Sequence, residues 1–344
     1  MSLVAQESPQ LPLGCYRLQF TATQPIKLPK FTGSMWRGVF GTTLRQKACL
    51  TKRDKCDSCP QKAFCGYVYL FETEPPRTAG KMHNNKSVPR PFVFGVSLDE
   101  GKYLSPGKQF ALHIILFGRA NEYLPLVVDT FVQAGTVGIG LDKRQFVLNK
   151  RQFVLTGVEQ WLIGTRDWKI ISGSGGLCPL PPVSPQIPAC PSTQVTIRFE
   201  TPVHIQVENE GDATSPYLTG RDHPKKRTVG PEDLRFHDFF MPLLRRFSMI
   251  SYFHTENPFE TDFLALKNAS LHTSVLARNL VWKNMKFYSE RQGKPIILNG
   301  ILGSFTIPGG DLLAPFWPVL WLGQWLHVGK DTVRGLGRYS IVPA

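Results

Sequence analysis

The stretch "LLAPFWPVLWLGQWLHVGKDTVRGLGRYSIV", residues 312–342, contains a glycine-rich loop between two apolar segments. The segment before the loop is helix-like, and the segment after it, "RYSIV", alternates as a strand does. The phosphate-binding loop of an ATPase runs Gly, four residues, Gly, Lys, and lies between a strand and a helix. Here Gly329 and Lys330 precede Gly335, which reverses that order. We therefore predict a helix, a loop and a closing strand, and no nucleotide cofactor.

The same loop has groups that could hold a different anion. Glycine allows backbone N–H groups to approach an anion closely. Three glycines lie in the loop, Gly329, Gly335 and Gly337, and two cations, Lys330 and Arg334, flank the turn. We predict a phosphate clamp here, with ordinary surface solvation of the two cations as the alternative.

The charge of the chain indicates a polyanionic partner. Of its 344 residues, 40 are Lys or Arg and 26 are Asp or Glu, which gives a formal charge of +14. Folding and solubility do not require so large an imbalance, and nucleic acid is the simplest partner. A membrane surface is the rival, but the sequence has neither a run of 18 apolar residues nor a secretory signal pattern. We expect a cytoplasmic protein that does not bind membranes.

The order of predicted elements occurs twice. Strand, helix, two strands, helix and strand follow one another on each side of "SGSGGLCPLPPVSPQIPACPS", residues 172–192, whose glycines and prolines indicate a linker. This order predicts an α+β chain with two tandem ferredoxin-like (RRM-like, βαββαβ) domains, at residues 1–171 and 193–344. Pro242 and Pro318 lie inside predicted helices, so we expect kinks or breaks there.

Four of the seven cysteines are clustered. Their spacing is C-x6-C-x2-C-x5-C, formed by Cys49, Cys56, Cys59 and Cys65. Because the sequence shows no export signal, disulfide bonds between them are not expected. Four thiolates could complete a tetrahedral zinc site without an open position, so we predict a structural zinc in a small insert at residues 49–65. An iron–sulfur cluster also takes four thiolates. The remaining alternative is four reduced cysteines in a basic loop.

Three stretches carry a family resemblance: "GSMWRGVFGTTLRQKAC" with the cysteines and "YVYLFET", "YSERQGKPIILNGILGSFTI", and "LGQWLHVGKDTVRGLGRY". In this order they resemble the precursor-CRISPR-RNA processing endoribonucleases of the repeat-associated RNA-binding superfamily, in the branch with a cysteine-rich insert. The resemblance implies that the enzyme cuts RNA on the 3′ side of a repeat hairpin, by attack of the upstream 2′-hydroxyl on the adjacent phosphate, and leaves a 2′,3′-cyclic phosphate. It also implies that the enzyme uses no catalytic metal and keeps its product bound. Its expected partners are CRISPR repeat RNA and other effector subunits.

Two other functions stay open from the sequence. The first is a non-catalytic subunit that binds mature CRISPR RNA in an effector complex. The second is a zinc-containing RNA-binding protein unrelated to CRISPR.

The catalytic residues do not carry over directly from the resemblance. The family's usual histidine on or after the first helix has no counterpart between Phe31 and Cys49. Three histidines are candidates for the general base, His83, His254 and His327, although a lone histidine is more often structural. Lys330 is the candidate cation at the scissile phosphate. His113 and His204 lie in predicted strands, and we take them as core or surface residues.

Besides the glycine-rich loop, RNA contacts are predicted on three segments, and solvation of the charges is the alternative for the first helix and for the basic run. Arg37 and Arg45 lie near one face of the first helix, where Trp36 is expected in the core, with stacking on an unpaired RNA base as the alternative. The basic run "RDHPKKR" and the turn "SERQGK" supply the other candidates: Arg221, Lys225, Lys226, Arg227, Arg291 and Gln292.

Overall fold

The computed structural model describes residues 8–53, 55–75, 80, 88–98, 101–141, 151–208, 226–289 and 294–343. The chain divides into two compact units. The N-terminal unit contains Leu11–Pro185 together with Met249–Pro258. The C-terminal unit contains Gln186–Ser248 and Phe259–Ala344, and residues 8–10 from the start of the chain also belong to it.

The N-terminal unit is a ferredoxin-like fold with one added strand. Its five-stranded sheet has the order β3-β5-β1-β6-β7, and β1 is antiparallel to both β5 and β6. The elements are β1 Leu13–Ala22, β2 Ile26–Lys27, α1 Gly33–Ala48, α2 Gly66–Phe71, β3 Phe92–Gly95, β4 Tyr103–Leu104, β5 Gln109–Phe117, α3 Leu124–Val137, β6 Phe153–Leu162, β7 Asp167–Ile170, β8 Ser172–Gly173 and β9 Gly176–Leu177.

Aromatic side chains fill the core of this unit. Successive residues of β1 alternate in burial, because side chains along a strand point to opposite faces of the sheet. Phe20 on β1 stacks on Trp36 of α1 with ring centroids 5.9 Å apart, and Phe40 stacks on Phe131 of α3 at 5.3 Å. Trp36 is 3% exposed, so its expected place in the core is confirmed.

The C-terminal unit repeats the same topology. Its sheet order, β13-β14-β10-β15, places the first strand between the third and the fourth, as in the N-terminal unit. The elements are β10 Val195–Val203, β11 Gln206–Glu208, β12 Lys226–Thr228, α4 Phe236–His254, α5 Phe263–His272, β13 Ala277–Ser289, β14 Lys294–Ile307, α6 Trp317–Leu326 and β15 Tyr339–Pro343. Residues 249–254 of α4 belong to the N-terminal unit by their contacts.

The predicted tandem ferredoxin-like fold is confirmed, and so is the helix–loop–strand order at the C-terminus. The expectation for Pro318 was wrong, because this residue lies in the first turn of α6, where a missing N–H costs no helical hydrogen bond. Pro242 lies inside α4, which continues through it. Helices α2 and α5 and strand β7 were not predicted. None of the helices in the described ranges has both the length and the apolar character needed to span a bilayer.

We expect Phe239→Ala to destabilise the C-terminal unit strongly. The Phe239 ring is fully buried and contacts Phe199, Phe305 and Tyr339 at centroid distances of 5.7, 5.4 and 5.2 Å. Removing it leaves a cavity and should lower the free energy of unfolding by about 3 to 5 kcal/mol. Urea unfolding measures the change. Leu264→Ala, at a side chain 66% exposed, is the control, and equal losses in the two variants would contradict this description of the core.

Candidate functional site

The loop between α6 and β15 is held against the rest of the C-terminal unit by close backbone contacts. Gly337 has φ +76°, and a Cβ atom there would lie 1.9 Å from the carbonyl oxygen of Val328. Gly329 has φ +83°, and its Cβ would lie 2.4 Å from the carbonyl oxygen of His204. These positions need glycine for its backbone conformation and for the lack of a side chain.

Several amides of this loop donate to acceptors inside the protein. The N–H of Lys330 donates to His204 O at 3.0 Å, that of Gly335 to Thr332 O at 2.9 Å and that of Gly337 to Pro202 O at 3.0 Å. Each amide has one hydrogen, so these three groups are committed in this conformation. In this conformation the amides of Lys330, Gly335 and Gly337 are therefore used inside the protein, and the predicted phosphate clamp at this loop stays a prediction.

His327 is buried beneath the loop. It is 2% exposed, and its Nδ1 donates to the carbonyl oxygen of Leu336 at 3.2 Å. Burial, with the nearby positive charges of Arg338 and Arg246, lowers the pKa of His327 to about 3. The ring is therefore neutral at physiological pH and a weak base, which suits a structural role better than the predicted catalytic one.

A second histidine, His204, lies directly beside the loop. Its Nδ1 donates to Asn299 Oδ1 at 2.8 Å, its ring is 6.0 Å from the ring of Trp282, and its carbonyl oxygen accepts from Lys330. We call His204, Trp282, Asn299 and Lys330 the His204 cluster. Its members come from the end of β10, from β13, from β14 and from the glycine-rich loop. No sequence motif singles out His204, because its partners are about 80 to 130 residues away.

Basic residues lie on segments that pair near the end of β10. Lys283 on β13 pairs with Gly300 of β14. A Cβ atom added to Gly300 would lie 2.6 Å from the carbonyl carbon of Val203 and 2.9 Å from the backbone nitrogen of His204. Lys226 and Arg227 lie on β12, which pairs with β11 just after His204. Arg334 is paired with Asp331 at 3.0 Å. Three segments near the end of β10 therefore carry basic residues: β12, β13 and the glycine-rich loop.

The arginines predicted on the first helix lie over aromatic rings of α2. The guanidinium of Arg37 is 4.7 Å from the ring centroid of Phe71, and that of Arg45 is 5.9 Å from the ring centroid of Tyr67. Arg45 also donates to the carbonyl oxygen of Arg53 at 2.9 Å. Both arginines therefore help to pack α2 against α1, and their contact with RNA stays a prediction.

His254 lies in a closed hydrogen-bonded setting within the N-terminal unit. Its Nε2 donates to Pro89 O at 2.9 Å, and its Nδ1 then accepts from the hydroxyl of Tyr69 at 3.2 Å. The side chain is fully buried. Burial, the largest cause, raises the pKa of the Tyr69 hydroxyl, so this group stays protonated and keeps donating. These contacts give His254 a structural role in this conformation.

Some predicted residues lie outside the described part of the chain. They are His83, Arg221, Lys225, Arg291 and Gln292.

The four clustered cysteines border one pocket in the N-terminal unit, with a volume of about 160 Å³. The hydroxyl of Thr51 lies 3.4 Å from Cys59 Sγ and 4.0 Å from Cys49 Sγ. Hydrogen bonds from Thr51 and from the Gln61 backbone lower the pKa of the Cys59 thiol. Among the described residues, no three Cys, His, Asp or Glu side chains are grouped so that they could hold a metal ion. The predicted zinc therefore stays a prediction.

Comparison with known families identifies the C-terminal unit. Residues 197–339, which contain the His204 cluster and the glycine-rich loop, match the family model of the CRISPR-associated endoribonuclease Cas6. By this match, residues 197–339 belong to the Cas6 family. Residues 11–172 match a second family model, described as an N-terminal domain. The family resemblance predicted from the sequence is confirmed.

Solved Cas6 structures share this fold. A Cas6 from Thermus thermophilus in its product complex is 15% identical, with a TM-score of 0.53, and the match covers 96% of this chain and 100% of that one. A chain of a partial Cas6-RT-Cas1–Cas2 complex is 12% identical, with a TM-score of 0.55, and the match covers 98% of this chain and 47% of that one. At these identities the matches show the fold alone.

One curated relative is an uncharacterized protein of Archaeoglobus fulgidus. It is 27% identical over 123 residues, which is 36% of this chain and 40% of the relative. The match therefore spans less than half of that protein.

We expect acid to weaken the C-terminal unit through His327. Its pKa is about 3 in the folded state and 6.5 ordinarily, so below about pH 6.5 the unfolded chain takes up a proton that the folded one does not. From about pH 7 to about pH 5 this difference should cost about 2 kcal/mol of unfolding free energy. Urea unfolding at the two pH values measures it.

In the His327→Gln variant this part of the pH dependence should disappear, whereas the exposed His272→Gln should keep it. If His327→Gln kept the full acid sensitivity, the neutral, buried state described for His327 would be contradicted.

Proposed function

We propose that this Cas6-family protein is a metal-independent endoribonuclease that cuts CRISPR repeat RNA on the 3′ side of a hairpin. The observation that carries the proposal is the Cas6 domain at residues 197–339, built on the second of two ferredoxin-like units. The formal charge of +14 supports RNA as the substrate, because phosphate neutralisation dominates nucleic-acid affinity.

The proposed reaction is a transesterification within the RNA. The 2′-oxygen upstream of the cut forms a bond to the adjacent phosphorus while the bond from phosphorus to the leaving 5′-oxygen breaks. The 2′-hydroxyl loses its proton to a base, and the 5′-oxygen gains one, so the products are a 2′,3′-cyclic phosphate and a 5′-hydroxyl. The protein must align these groups in line and stabilise the charge that develops on the phosphorane.

We assign this electrostatic role to Lys330. Its amide is fixed to the carbonyl oxygen of His204, at the end of β10 where Lys226, Arg227 and Lys283 are also found. The anchored loop fixes the backbone of Lys330 before the substrate arrives, which reduces the reorganisation needed to bring its ammonium to the developing charge. Arg334, paired with Asp331 at 3.0 Å, is assigned to phosphate binding at the edge of the same site.

The general base of this mechanism is not yet assigned to a residue. His254 has both ring nitrogens hydrogen-bonded inside the protein, and His327 is buried with a pKa of about 3, so neither is assigned as the base. Of the three histidines predicted from the sequence, His83 is the first to test.

A hairpin stem would be bound by its shape and phosphates, because the deep groove of duplex RNA hides the base edges. Lys226, Arg227 and Lys283 supply charges for such contacts, and Arg221, Lys225, Arg291 and Gln292 are further proposed contacts. Binding of this kind does not end with the cut, so we propose that the stem-containing product is retained. We also propose other CRISPR proteins as partners, since one structural neighbour belongs to a Cas6-RT-Cas1–Cas2 complex.

A second candidate function is binding of CRISPR RNA without cleavage. The observation that favours it is the internal hydrogen bonding of His254 and His327, which would leave the chain without two of its three candidate bases. The two functions share the RNA-binding surface and differ only in whether the 2′-oxygen is activated.

Incubation of the full-length protein with the CRISPR repeat RNA of its source genome, in EDTA, separates the two functions. Cleavage with a cyclic phosphate end supports the endoribonuclease, and a 2′-deoxy residue upstream of the cut should abolish it. Binding without cleavage supports the second function. If the protein neither binds nor cuts the repeat, both are overturned. His83→Ala, compared with His272→Ala in single turnover, tests the base, and equal rates would remove His83 from the mechanism.

We expect Lys330→Gln to weaken RNA binding and to reduce its salt dependence. Loss of one phosphate contact should lower the slope of log affinity against log salt by about 0.7 to 0.9. Filter binding of a 2′-deoxy repeat over a range of salt measures the slope. Lys267→Gln, at an exposed lysine on α5 outside the His204 cluster, is the matched control. An unchanged slope in Lys330→Gln would exclude a phosphate contact for this residue.

A further inference from the structure

The pocket between α1 and α2 is bordered by all four clustered cysteines. Cys49 follows α1, Cys65 precedes α2, and Cys56 and Cys59 lie on the turn between them, where Cys59 N–H donates to Cys56 O at 3.1 Å. Four thiol side chains from 17 consecutive residues therefore face one space in the N-terminal unit. Nothing in the proposed RNA chemistry uses them.

The arrangement of these thiols does not suit a single zinc ion. Four thiolates at about 2.3 Å from one zinc lie within about 3.8 Å of one another. Among the described residues, no three Cys, His, Asp or Glu side chains come together in that way. The pocket they border has instead a volume of about 160 Å³, roughly ten times the space that one water needs. The four cysteines therefore border a space larger than a single zinc ion fills.

We propose that Cys49, Cys56, Cys59 and Cys65 bind an iron–sulfur cluster of the [4Fe–4S] type. In such a cluster each thiolate binds a different iron, so the four sulfurs are spread around a compact inorganic core. This reverses the preference for zinc that spacing alone suggested. The inference concerns the N-terminal unit and does not depend on the proposed cleavage of RNA.

The rest of the pocket lining fits such a core. Val68 is buried at one side of the pocket, and two cations in the lining, Arg53 and Lys55, offset the net negative charge of a cluster with four thiolates. The Thr51 hydroxyl, 3.4 Å from Cys59 Sγ, is placed to donate to a thiolate. Hydrogen bonds to cluster sulfurs raise the reduction potential because they stabilise the more negative, reduced state.

The cluster would tie the end of α1 to the start of α2. These two helices also meet through Arg37 over Phe71 and Arg45 over Tyr67. We assign the cluster a structural role there, with no electron-transfer step.

Anaerobic purification of the full-length protein, followed by measurement of iron, acid-labile sulfide and zinc, tests the assignment. We expect about four iron and four sulfide per chain, with visible sulfur-to-iron charge-transfer absorption and an electron paramagnetic resonance signal after reduction by dithionite. Stoichiometric zinc without sulfide would overturn the cluster in favour of a mononuclear site. Absence of both metals would overturn it in favour of four reduced thiols.

Two variants connect the signal to these residues. Cys59→Ser should lose the iron and sulfide, whereas Cys178→Ser, at an exposed cysteine outside the pocket, should keep them. Thr51→Val keeps all four ligands, so it remains informative if Cys59→Ser fails to fold. It should retain the cluster with a more negative reduction potential, since one donor to sulfur is lost. Full iron and sulfide in soluble Cys59→Ser, or an unchanged potential in Thr51→Val, would contradict the ligand set or the hydrogen bond, respectively.

Discussion

Close backbone contact between the glycine-rich loop and the end of β10 organises the C-terminal unit. Gly329 and Gly337 allow the loop to approach His204 and Val328 at distances that exclude a Cβ atom. This approach lets the amides of Lys330 and Gly337 donate to carbonyl oxygens of His204 and Pro202. The position of Lys330 and the burial of His327 beneath the loop follow from that contact.

The fold could be predicted from the sequence because its signals are local. Alternating burial along β1 and apolar periodicity in α1 and α4 are properties of neighbouring residues, and their order repeats on both sides of a proline-rich segment. Strand β7 was not predicted. Its side chains are largely exposed, so it lacks the apolar alternation that marks a strand. Pro318 shows a related limit, since a proline in a helical pattern can mark either a break or a first turn.

The site was less predictable because it depends on contacts distant in sequence. His254 and His327 were candidates for the base by their position in the chain, but their burial is set by Tyr69, Pro89 and Leu336. His204 belongs to the site through Asn299 and Lys330 and has no motif of its own. For the cysteines, spacing identified the set of thiols, whereas the volume that they enclose bears on the kind of metal centre.

The internal hydrogen bonds of the glycine-rich loop have a consequence for its motion. Amides that donate to protein carbonyls exchange their hydrogen with solvent only when the loop opens. The amide hydrogens of Lys330, Gly335 and Gly337 should therefore exchange more slowly than is usual in a connecting segment. A loop that is already ordered loses little conformational entropy when a ligand arrives. Glycines, the residues most often associated with flexibility, here create a rigid platform.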